Sequence, residues 1–174
     1  MKLTLPFETK NISEEGLITG YASIFGVIDY QKDKVQKNAF KDNLLKWQRE
    51  NKWPKMLWNH NASEPIGVWT KMVEDPNGLY VEGKLLKDVR RGAEIYALLK
   101  NGAIDGLSIG YSVQESHFDT QKKCRHLTKI DLHEVSFVTF AANPEAQILS
   151  LKNNEIQQLN ASIQDATHSL FKFF

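Results

Sequence analysis

Hydrophobic and polar residues alternate along much of the first 149 residues, and turn-forming residues separate the alternating segments. GLITGYASIFG alternates in this way, and Gly20 within it predicts a bend or a bulge. The segment IGVWTKMVEDPNGLYVEGKLL contains two alternating runs around the turn residues 75–78. Proline presets φ in such a turn and asparagine or glycine accepts a left-handed conformation, so this segment predicts a β-hairpin.

Three other segments precede this hairpin. AFKDNLLKWQRE places Phe40, Leu44 and Trp47 at helical spacing, which predicts a short amphipathic helix. KMLWNH is an apolar run that ends in polar residues, which predicts a strand. The stretch before the helix, DYQKDKVQKNAF, is predicted to be a polar loop.

The segment DVRRGAEIYALLKNG predicts the clearest helix of the chain. Asp88 is a residue type that caps helix N-termini, and Gly102 suits the position just after the C-cap. The core-facing stripe is predicted to consist of Ile95, Leu98 and Leu99.

The pattern as a whole predicts a mainly β protein with helices, of the α+β class. GLSIGYSVQESHF and CRHLTKIDLHEVSFVTFAANPEA predict two long strands joined by the polar tip DTQKK. We therefore expect a small antiparallel β-barrel surrounded by a few helices. Residues 1–149 form the expected domain. Residues 150–174 scatter apolar side chains among Asn, Gln and Ser, which predicts a helical or partly disordered C-terminal tail.

Composition narrows the function classes. The 174 residues carry a formal net charge of +1, which gives no basic footprint for nucleic acid or an anionic membrane surface. The four tryptophans follow helical and strand patterns that are typical of a core, which disfavours a small-barrel nucleic-acid module. No apolar run is long enough to span a bilayer, and MKLTLPFETK lacks the apolar core of a signal peptide. We expect no nucleic-acid partner and no membrane contact.

The metal-binding and thiol residues predict no cofactor. Cys124 is the single cysteine, so there is no disulfide framework, and a reducing, intracellular setting is expected. Without cysteine pairs a structural zinc site is also disfavoured. His117, His126 and His133 match no compact ligand motif, so no metal site is predicted.

Three segments carry the residue types of a nucleophilic hydrolase. Ser108 lies in GLSIGY between Gly106 and Gly110, His60 ends the apolar strand MLWNHN, and Glu134 interrupts the apolar strand DLHEVSFVTF. A serine hydroxyl needs a base within hydrogen-bond reach, and histidine is the usual base because its pKa lies near neutrality. A carboxylate can then hold the imidazole in the right tautomer and stabilise its cation. The small neighbours of Ser108 are interpreted as room for a substrate.

Each residue also has an ordinary structural interpretation. Ser108 suits a strand that packs against a helix, and His60 suits a turn. Glu134 suits a structural ion pair, since a buried carboxylate needs a partner. Alternation puts Glu134 on the face of Ser136, and His133 on the other face, so only one of the adjacent pair His133 and Glu134 is expected to face Ser108. These alternatives stay open on the residues alone.

The ordered set of motifs resembles a known family. GYASIFGVID, NAF, MLWNHN, EPIGVW, GLYVEGKLL, GAEIYALLKNGAIDGLSIGYSV and EVSFVTFAANPEA follow one another as in the caudate bacteriophage prohead proteases, from about residue 20 to residue 146. These are capsid-maturation serine proteases related in fold to the herpesvirus assemblins.

This resemblance implies a fold, a reaction and roles for three residues. It implies a small β-barrel ringed by helices, with Ser108 of LSIGY as nucleophile, His60 of the NH motif as base and Glu134 of EVS as third member. The implied substrates are the scaffold region of the major capsid protein and the protease itself, cut inside the procapsid in the cytoplasm of the bacterial host. Self-association is implied as well, and the tail is expected to guide the protease into the assembling shell. The stretch TFAANP is an expected source of oxyanion donors.

The chain departs from the family pattern at a few positions. Lys32 and Asn38 stand where the family commonly carries glycines, and Ala141 stands where proline is usual. His133 adds an alternative, because the related herpesvirus enzymes use a second histidine as third member. The competing hypothesis for the whole chain is an inactive barrel that binds scaffold segments without cutting them.

Overall fold

The computed structural model describes residues 15–151, and within them the chain forms eight strands and two helices. These elements are, in chain order, β1 (Leu17–Ile24), β2 (Asp33–Val35), α1 (Lys41–Arg49), β3 (Lys55–Trp58), β4 (Asn61–Glu74), β5 (Gly78–Leu85), α2 (Arg90–Lys100), β6 (Gly106–Asp119), β7 (Cys124–Val138) and β8 (Ile148–Leu151). The predicted mainly β protein with helices is confirmed. Within this range no helix is long and apolar enough to cross a membrane.

All eight strands belong to one strongly curled, half-barrel sheet. Its order is β2-β7-β3-β4-β5-β1-β8, and β6 pairs with β7. Most neighbours are antiparallel, as expected, but β2 and β3 both run parallel to β7. These two short strands pair with different parts of β7: β2 with residues 125–127 and β3 with residues 134–137. Strand β7 therefore organises the sheet, because it pairs with three others.

The hydrophobic core lies between the sheet and the two helices. Phe40 at the start of α1, Ile95 and Leu99 of α2, and Phe137 of β7 are fully or almost fully buried. Trp69 stacks on Phe137 with ring centroids 6.2 Å apart. Burying such side chains supplies the main favourable free energy of folding, so these contacts tie both helices to the sheet.

Two details predicted for helix α2 were wrong. Its N-cap is Val89, which has no side chain that can cap, and not Asp88. Leu98 is 39% exposed, so the buried stripe contains Ile95 and Leu99 without it. The C-terminal prediction is confirmed, because Gly102 follows the C-cap with φ 67°. Glycine adopts this left-handed conformation at little steric cost.

The predicted hairpin between β4 and β5 is confirmed. The carboxylate of Asp75 accepts hydrogen bonds from the backbone N–H groups of Asn77 and Gly78. The bend or bulge predicted at Gly20 is also present, since the register of β1 against β8 shifts between Thr19 and Gly20.

The segment predicted to be a polar loop before α1 contains strand β2. Asp33 of β2 is only 2% exposed. Arg125 of β7 donates two hydrogen bonds to its carboxylate, at 2.8 and 2.6 Å. The loop prediction was wrong here because the ion pair between buried Asp33 and half-exposed Arg125, which periodicity cannot reveal, holds a polar strand on the sheet.

The end of the described chain overlaps the predicted boundary between domain and tail. Strand β8 pairs with β1 through residue 151, two residues beyond position 149. The rest of the predicted tail lies outside the described residues.

Candidate active site

The register of β6, β7 and β3 brings together the residues that the sequence singled out. Ser108 of β6 lies opposite Ser136 of β7, and Gly110 lies opposite Glu134. On its other side, β7 pairs Ser136 with Leu57 of β3. Side chains that are opposite one another in a sheet share a face. Ser108 and Glu134 therefore point to the same side, next to the end of β3.

His60 reaches this point through a tight turn. Trp58 of β3 pairs with Asn61 of β4, so Asn59 and His60 form a two-residue hairpin loop. Their φ angles are 51° and 60°, the left-handed pair that a type I′ turn requires. Glycine is the residue that normally tolerates the second position, and a histidine there stores backbone strain. Such strain is concentrated at functional sites. The strained turn therefore indicates a functional site independently of the side-chain contacts.

Ser108, His60 and Glu134 form one continuous hydrogen-bonded chain. His60 Nε2 lies 3.1 Å from Ser108 Oγ, and His60 Nδ1 lies 2.6 Å from Glu134 Oε1. Ser108 and Glu134 are buried, with 7% and 9% of their surface exposed. The imidazole is partly open, with 44% of its side chain exposed. In the tautomer protonated at Nδ1, His60 donates to Glu134 and accepts from Ser108.

Ser136 is a fourth member of this network that the sequence analysis did not select. Its hydroxyl donates to Glu134 Oε2 at 2.5 Å and accepts from the backbone N–H of His60 at 3.1 Å. It is fully buried, so both bonds are shielded from water. Ser136 thus fixes the second carboxylate oxygen and the strained turn together. The one sequence signal was the alternation that placed it on the face of Glu134.

The glycines beside Ser108 have a structural role in addition to the one predicted. A Cβ on Gly110 would lie 2.1 Å from Glu134 Oε1, which is far inside contact distance. A Cβ on Gly106 would lie 2.9 Å from the carbonyl oxygen of Val138. Gly110 thus makes room for the carboxylate that holds His60, and Gly106 for the neighbouring backbone. Gly110 also lines the cleft, and room for a substrate stays a prediction.

His133 is separated from Ser108 by a β-bulge. Gly110 pairs with Glu134 and Tyr111 with Leu132, so His133 is the extra residue of β7. Its side chain is exposed, and its Nε2 lies 2.7 Å from Ser112 Oγ. Of the adjacent pair, Glu134 is thus the residue that reaches His60.

The electrostatics of the site suit proton transfer. The hydrogen bond that His60 donates to Glu134 raises the pKa of the imidazole above its usual value, and the charge of Glu134 adds to this. Burial acts in the opposite direction. A base with a raised pKa holds a transferred proton more readily. The arrangement can therefore remove the proton of Ser108 and stabilise the imidazolium that forms.

A cleft of about 590 Å³ opens onto Ser108 and His60. One wall is β6, another is the loop that contains Asp29 and Tyr30, and a third is the stretch 140–143. This volume is within the range of ligand-binding clefts.

The loop before α1 contains two positions at which the sequence departs from the family pattern, Lys32 and Asn38. Lys32 and Asn38 have φ angles of 65° and 70°, in the left-handed region. Glycine adopts this conformation at little steric cost, whereas here a lysine and an asparagine adopt it.

Metal ligands do not converge in the described part of the chain. Among residues 15–151 no three His, Cys, Asp or Glu side chains are arranged to hold a metal ion. Cys124 is buried as a free thiol.

Comparison with known proteins gives consistent matches. The family model described as caudovirus prohead serine protease matches residues 4–162. The prohead protease of Enterobacteria phage HK97 is 33% identical over 157 residues, covering 86% of this chain and 68% of the relative. A capsid polyprotein of Pseudomonas phage PAJU2 is 34% identical over 110 residues, which cover 59% of this chain and 16% of that polyprotein.

A solved structure matches the fold. The bacteriophage T4 capsid assembly protease superposes with a TM-score of 0.55 at 16% identity, covering 70% of this chain and 80% of that one. At this identity the likeness concerns the fold alone. The family model, by contrast, spans most of the chain, including all three residues of the hydrogen-bonded site. The chain belongs to the caudovirus prohead serine proteases and is a serine protease of phage capsid maturation.

Proposed function

We propose that Ser108, His60 and Glu134 form a catalytic triad that hydrolyses peptide bonds of capsid proteins. The observation that carries this proposal is the unbroken chain of hydrogen bonds from Ser108 Oγ through both nitrogens of His60 to Glu134. Its open end faces the cleft, and its carboxylate end is buried. A catalytic triad needs this arrangement, in which the serine faces the substrate and the buried carboxylate stabilises the imidazolium.

The first half of the reaction forms an acyl-enzyme. His60 Nε2 accepts the proton of Ser108 as Oγ attacks the scissile carbonyl, and Glu134 stabilises the imidazolium. When the C–N bond breaks, the same proton passes from Nε2 to the leaving amine. Positioned proton transfer of this kind contributes about 10²–10⁴ in rate.

The second half repeats these steps with water. His60 takes a proton from a water molecule, whose oxygen attacks the acyl carbon, and then returns the proton to Ser108 Oγ as the ester bond breaks. Both halves pass through a tetrahedral oxyanion, which backbone N–H groups must stabilise. The stretch 140–143 supports this part of the proposal because it lines the cleft beside Ser108.

The substrate that fits the family best is the scaffold region of the major capsid protein, together with the protease chain itself. The PAJU2 relative supports this, since a segment similar to this chain lies within a protein named as a capsid polyprotein. Cleavage would take place inside the procapsid in the host cytoplasm, with self-association of the protease and without nucleic acid, membrane or cofactor. The inactive scaffold-binding barrel is not favoured, because the hydrogen-bonded triad is complete.

The proposal includes a small barrel as the rigid support of the triad. Backbone hydrogen bonds join β1 and β6 to one segment: Tyr21 donates to the carbonyl of Gln147, and Leu107 donates to that of Ala146. These bonds support closure next to the strand that carries Ser108.

Co-expression with the capsid protein of the same phage tests the proposal. We expect mass spectrometry to find the capsid protein shortened by wild-type protease, and intact when the protease carries Ser108→Ala. The matched control is Ser112→Ala, which removes an exposed serine from the same strand and should leave cleavage unchanged. Cleavage that persists in Ser108→Ala would overturn the proposed nucleophile.

A further inference from the structure

The cleft beside Ser108 has two large aromatic side chains at its edge that the described part of the chain leaves uncovered. Phe140 is 88% exposed and Tyr30 is 76% exposed. They are the two most exposed large apolar or aromatic side chains among residues 15–151, and both line the cleft, where they form its aromatic rim. Single exposed apolar residues are ordinary at a protein surface, but two of this size at one cleft indicate a binding surface.

Hydrogen bonds hold the two residues of the aromatic rim near each other. The backbone N–H of Tyr30 donates to the carbonyl of Ala142 at 3.0 Å, and Ala142 follows Phe140 by two residues. The side-chain amide of Asn143 donates to the carbonyl of Ile24 at 2.9 Å. These two bonds join the stretch 140–143 to the end of β1 and to the loop that follows it, so the rim is part of one connected wall.

Tyr30 lies in a tight turn that is fixed by its own hydrogen bonds. Asp29 Oδ1 accepts from the backbone N–H groups of Gln31 and Asp33, both at 2.8 Å. The backbone N–H of Asp29 donates to the carbonyl of Asp33 at 2.8 Å, and that of Lys32 donates to the carbonyl of Asp29 at 3.1 Å. A turn fixed in this way loses little conformational entropy when a ligand binds, so Tyr30 is preorganised for contact.

The charged groups of the cleft already have partners. Arg125 donates hydrogen bonds of 2.8 and 2.6 Å to Asp33, and the Tyr111 hydroxyl donates a third at 3.0 Å. Burial raises the pKa of Asp29, and the positive charge of Arg125 acts in the opposite direction. The two aromatic rings, by contrast, present mainly apolar surface to water. An apolar side chain is the ligand that such surface favours, because contact removes apolar area of both partners from water.

The aromatic rim lies close enough to Ser108 to contact a substrate near its scissile bond. A Cβ on Gly106 would lie 3.4 Å from the backbone nitrogen of Ala141. Gly106 and Ser108 are two residues apart on β6, so they share a face of the sheet and their Cα atoms lie about 7 Å apart. Ala141, which follows Phe140 directly, is therefore within about 12 Å of Ser108, a distance that about four extended residues span.

We propose that the aromatic rim binds a large apolar side chain of the substrate within about four residues of the scissile bond, and that Phe140 and Tyr30 thereby determine cleavage specificity. This specificity rests on the proposed protease function. An aromatic substrate side chain gains stacked or edge-to-face contacts with the two rings, and an aliphatic one gains apolar burial. A charged side chain would lose its hydration there, since the charged groups of the cleft already bind one another.

The test is the digestion of a mixture of synthetic peptides in which every residue type is equally frequent at every position. Mass spectrometry of the products locates each cut. With the full-length protease we expect leucine, isoleucine, methionine, phenylalanine and tyrosine to be enriched about tenfold at one position, within about four residues of the cut. Phe140→Ala should reduce this enrichment to less than about threefold and leave the preferences at other positions unchanged. Tyr30→Ala should act at the same position, and the conservative Phe140→Leu should retain most of the enrichment.

Phe118→Ala is the matched control, because Phe118 is a 63% exposed phenylalanine on the same strand as Ser108 but outside the cleft. It should leave the enrichment unchanged. Since Phe140 is exposed as well, Phe140→Ala should unfold in urea at the same concentration as wild type.

Four outcomes would overturn the inference. They are no apolar enrichment near the cut, a preference for charged residues at that position, an enrichment that persists in both Phe140→Ala and Tyr30→Ala, and a protein that reacts with a fluorophosphonate at Ser108 yet cleaves no peptide of the mixture. A protein in which Ser108 does not react would instead contradict the proposed function.

Discussion

Strand β6 carries two serines that each contact a histidine, Ser108 with His60 of the β3–β4 turn and Ser112 with His133 of β7. Comparing the two pairs shows which features, beyond a short contact, a nucleophilic serine needs. Ser112 Oγ lies 2.7 Å from His133 Nε2, closer than the 3.1 Å between Ser108 Oγ and His60 Nε2. Distance alone would therefore favour the pair of Ser112 and His133.

The two pairs differ in what surrounds them. The His60 ring is held from behind by Glu134, whose second oxygen is bound by buried Ser136. His133 is exposed and has no carboxylate partner within residues 15–151. Ser108 lines the cleft, whereas Ser112 does not. The carboxylate, the burial and the cleft therefore distinguish Ser108 from Ser112, and the hydrogen bond to a histidine does not.

The largest expected effect comes from removing one histidine of each pair. His60→Gln should lower kcat/KM for peptide cleavage by about 10⁴ or more, because it removes the base. His133→Gln should change it less than about twofold, since surface substitutions away from the site have small effects. Steady-state kinetics on one quenched peptide measure both. Similar losses in the two variants would remove the distinction between the pairs.

Glu134→Gln makes the Ser108–His60 pair resemble the Ser112–His133 pair, which has no carboxylate partner within residues 15–151. It keeps the shape of the side chain but removes the charge, so kcat should fall by about 10³–10⁴. Glu134 raises the pKa of His60, and the neutral imidazole is the active base. Without the carboxylate charge that pKa falls, so the acidic limb of the profile of kcat/KM against pH should move to lower pH. A limb that stays in place or moves upward would show that Glu134 does not act on His60.

Ser136→Ala tests the support behind the carboxylate. It removes the donor to Glu134 and the acceptor for the backbone of His60, so we expect a loss of about 10–100-fold in kcat with KM nearly unchanged. Leaving a buried N–H unsatisfied should also cost about 1–3 kcal/mol in the free energy of unfolding. Kinetics and urea denaturation are measured on the same preparation. Full activity in this variant would mean that the strained turn holds His60 unaided.

The smallest effect concerns the pH dependence of stability. The pKa of His60 is raised in the folded protein, so its interaction with Glu134 stabilises most below the unfolded pKa of about 6.5 and is lost as pH rises through the folded value. Solvent screening of the half-exposed ring limits the effect to less than about 1 kcal/mol. Relative to wild type, His60→Gln should thus lose more stability near pH 5.5 than near pH 8. The opposite trend in urea melts monitored by tryptophan fluorescence would contradict the linkage.

Sequence patterns predicted the elements better than their pairings. Helix α2 and the β4–β5 hairpin have strong local signals, namely an apolar stripe and the turn around Asp75. The parallel pairing of β3 with β7 joins segments far apart in the chain, and alternation within one strand does not specify its neighbour. The three site residues were found through their chemistry and the family motifs. Their meeting depends on this register.

What the sequence analysis missed at the site has one common cause. The clash that excludes a side chain at Gly110, the bulge at His133 and the double role of Ser136 all depend on which residue lies across the strand. Alternation predicted the shared face of Glu134 and Ser136, but not the distance between them. Such cross-strand contacts become visible only when the register is known.

The central claim is that His60 and Glu134 activate Ser108 and leave Ser112 inert. Reaction with a fluorophosphonate, followed by mass spectrometry of the digested protein, tests it most directly, because the reagent bonds to an activated serine oxygen. We predict modification of Ser108 alone, lost in His60→Ala and retained in His133→Ala. Modification of Ser112, or equal modification of Ser108 with and without His60, would contradict the account.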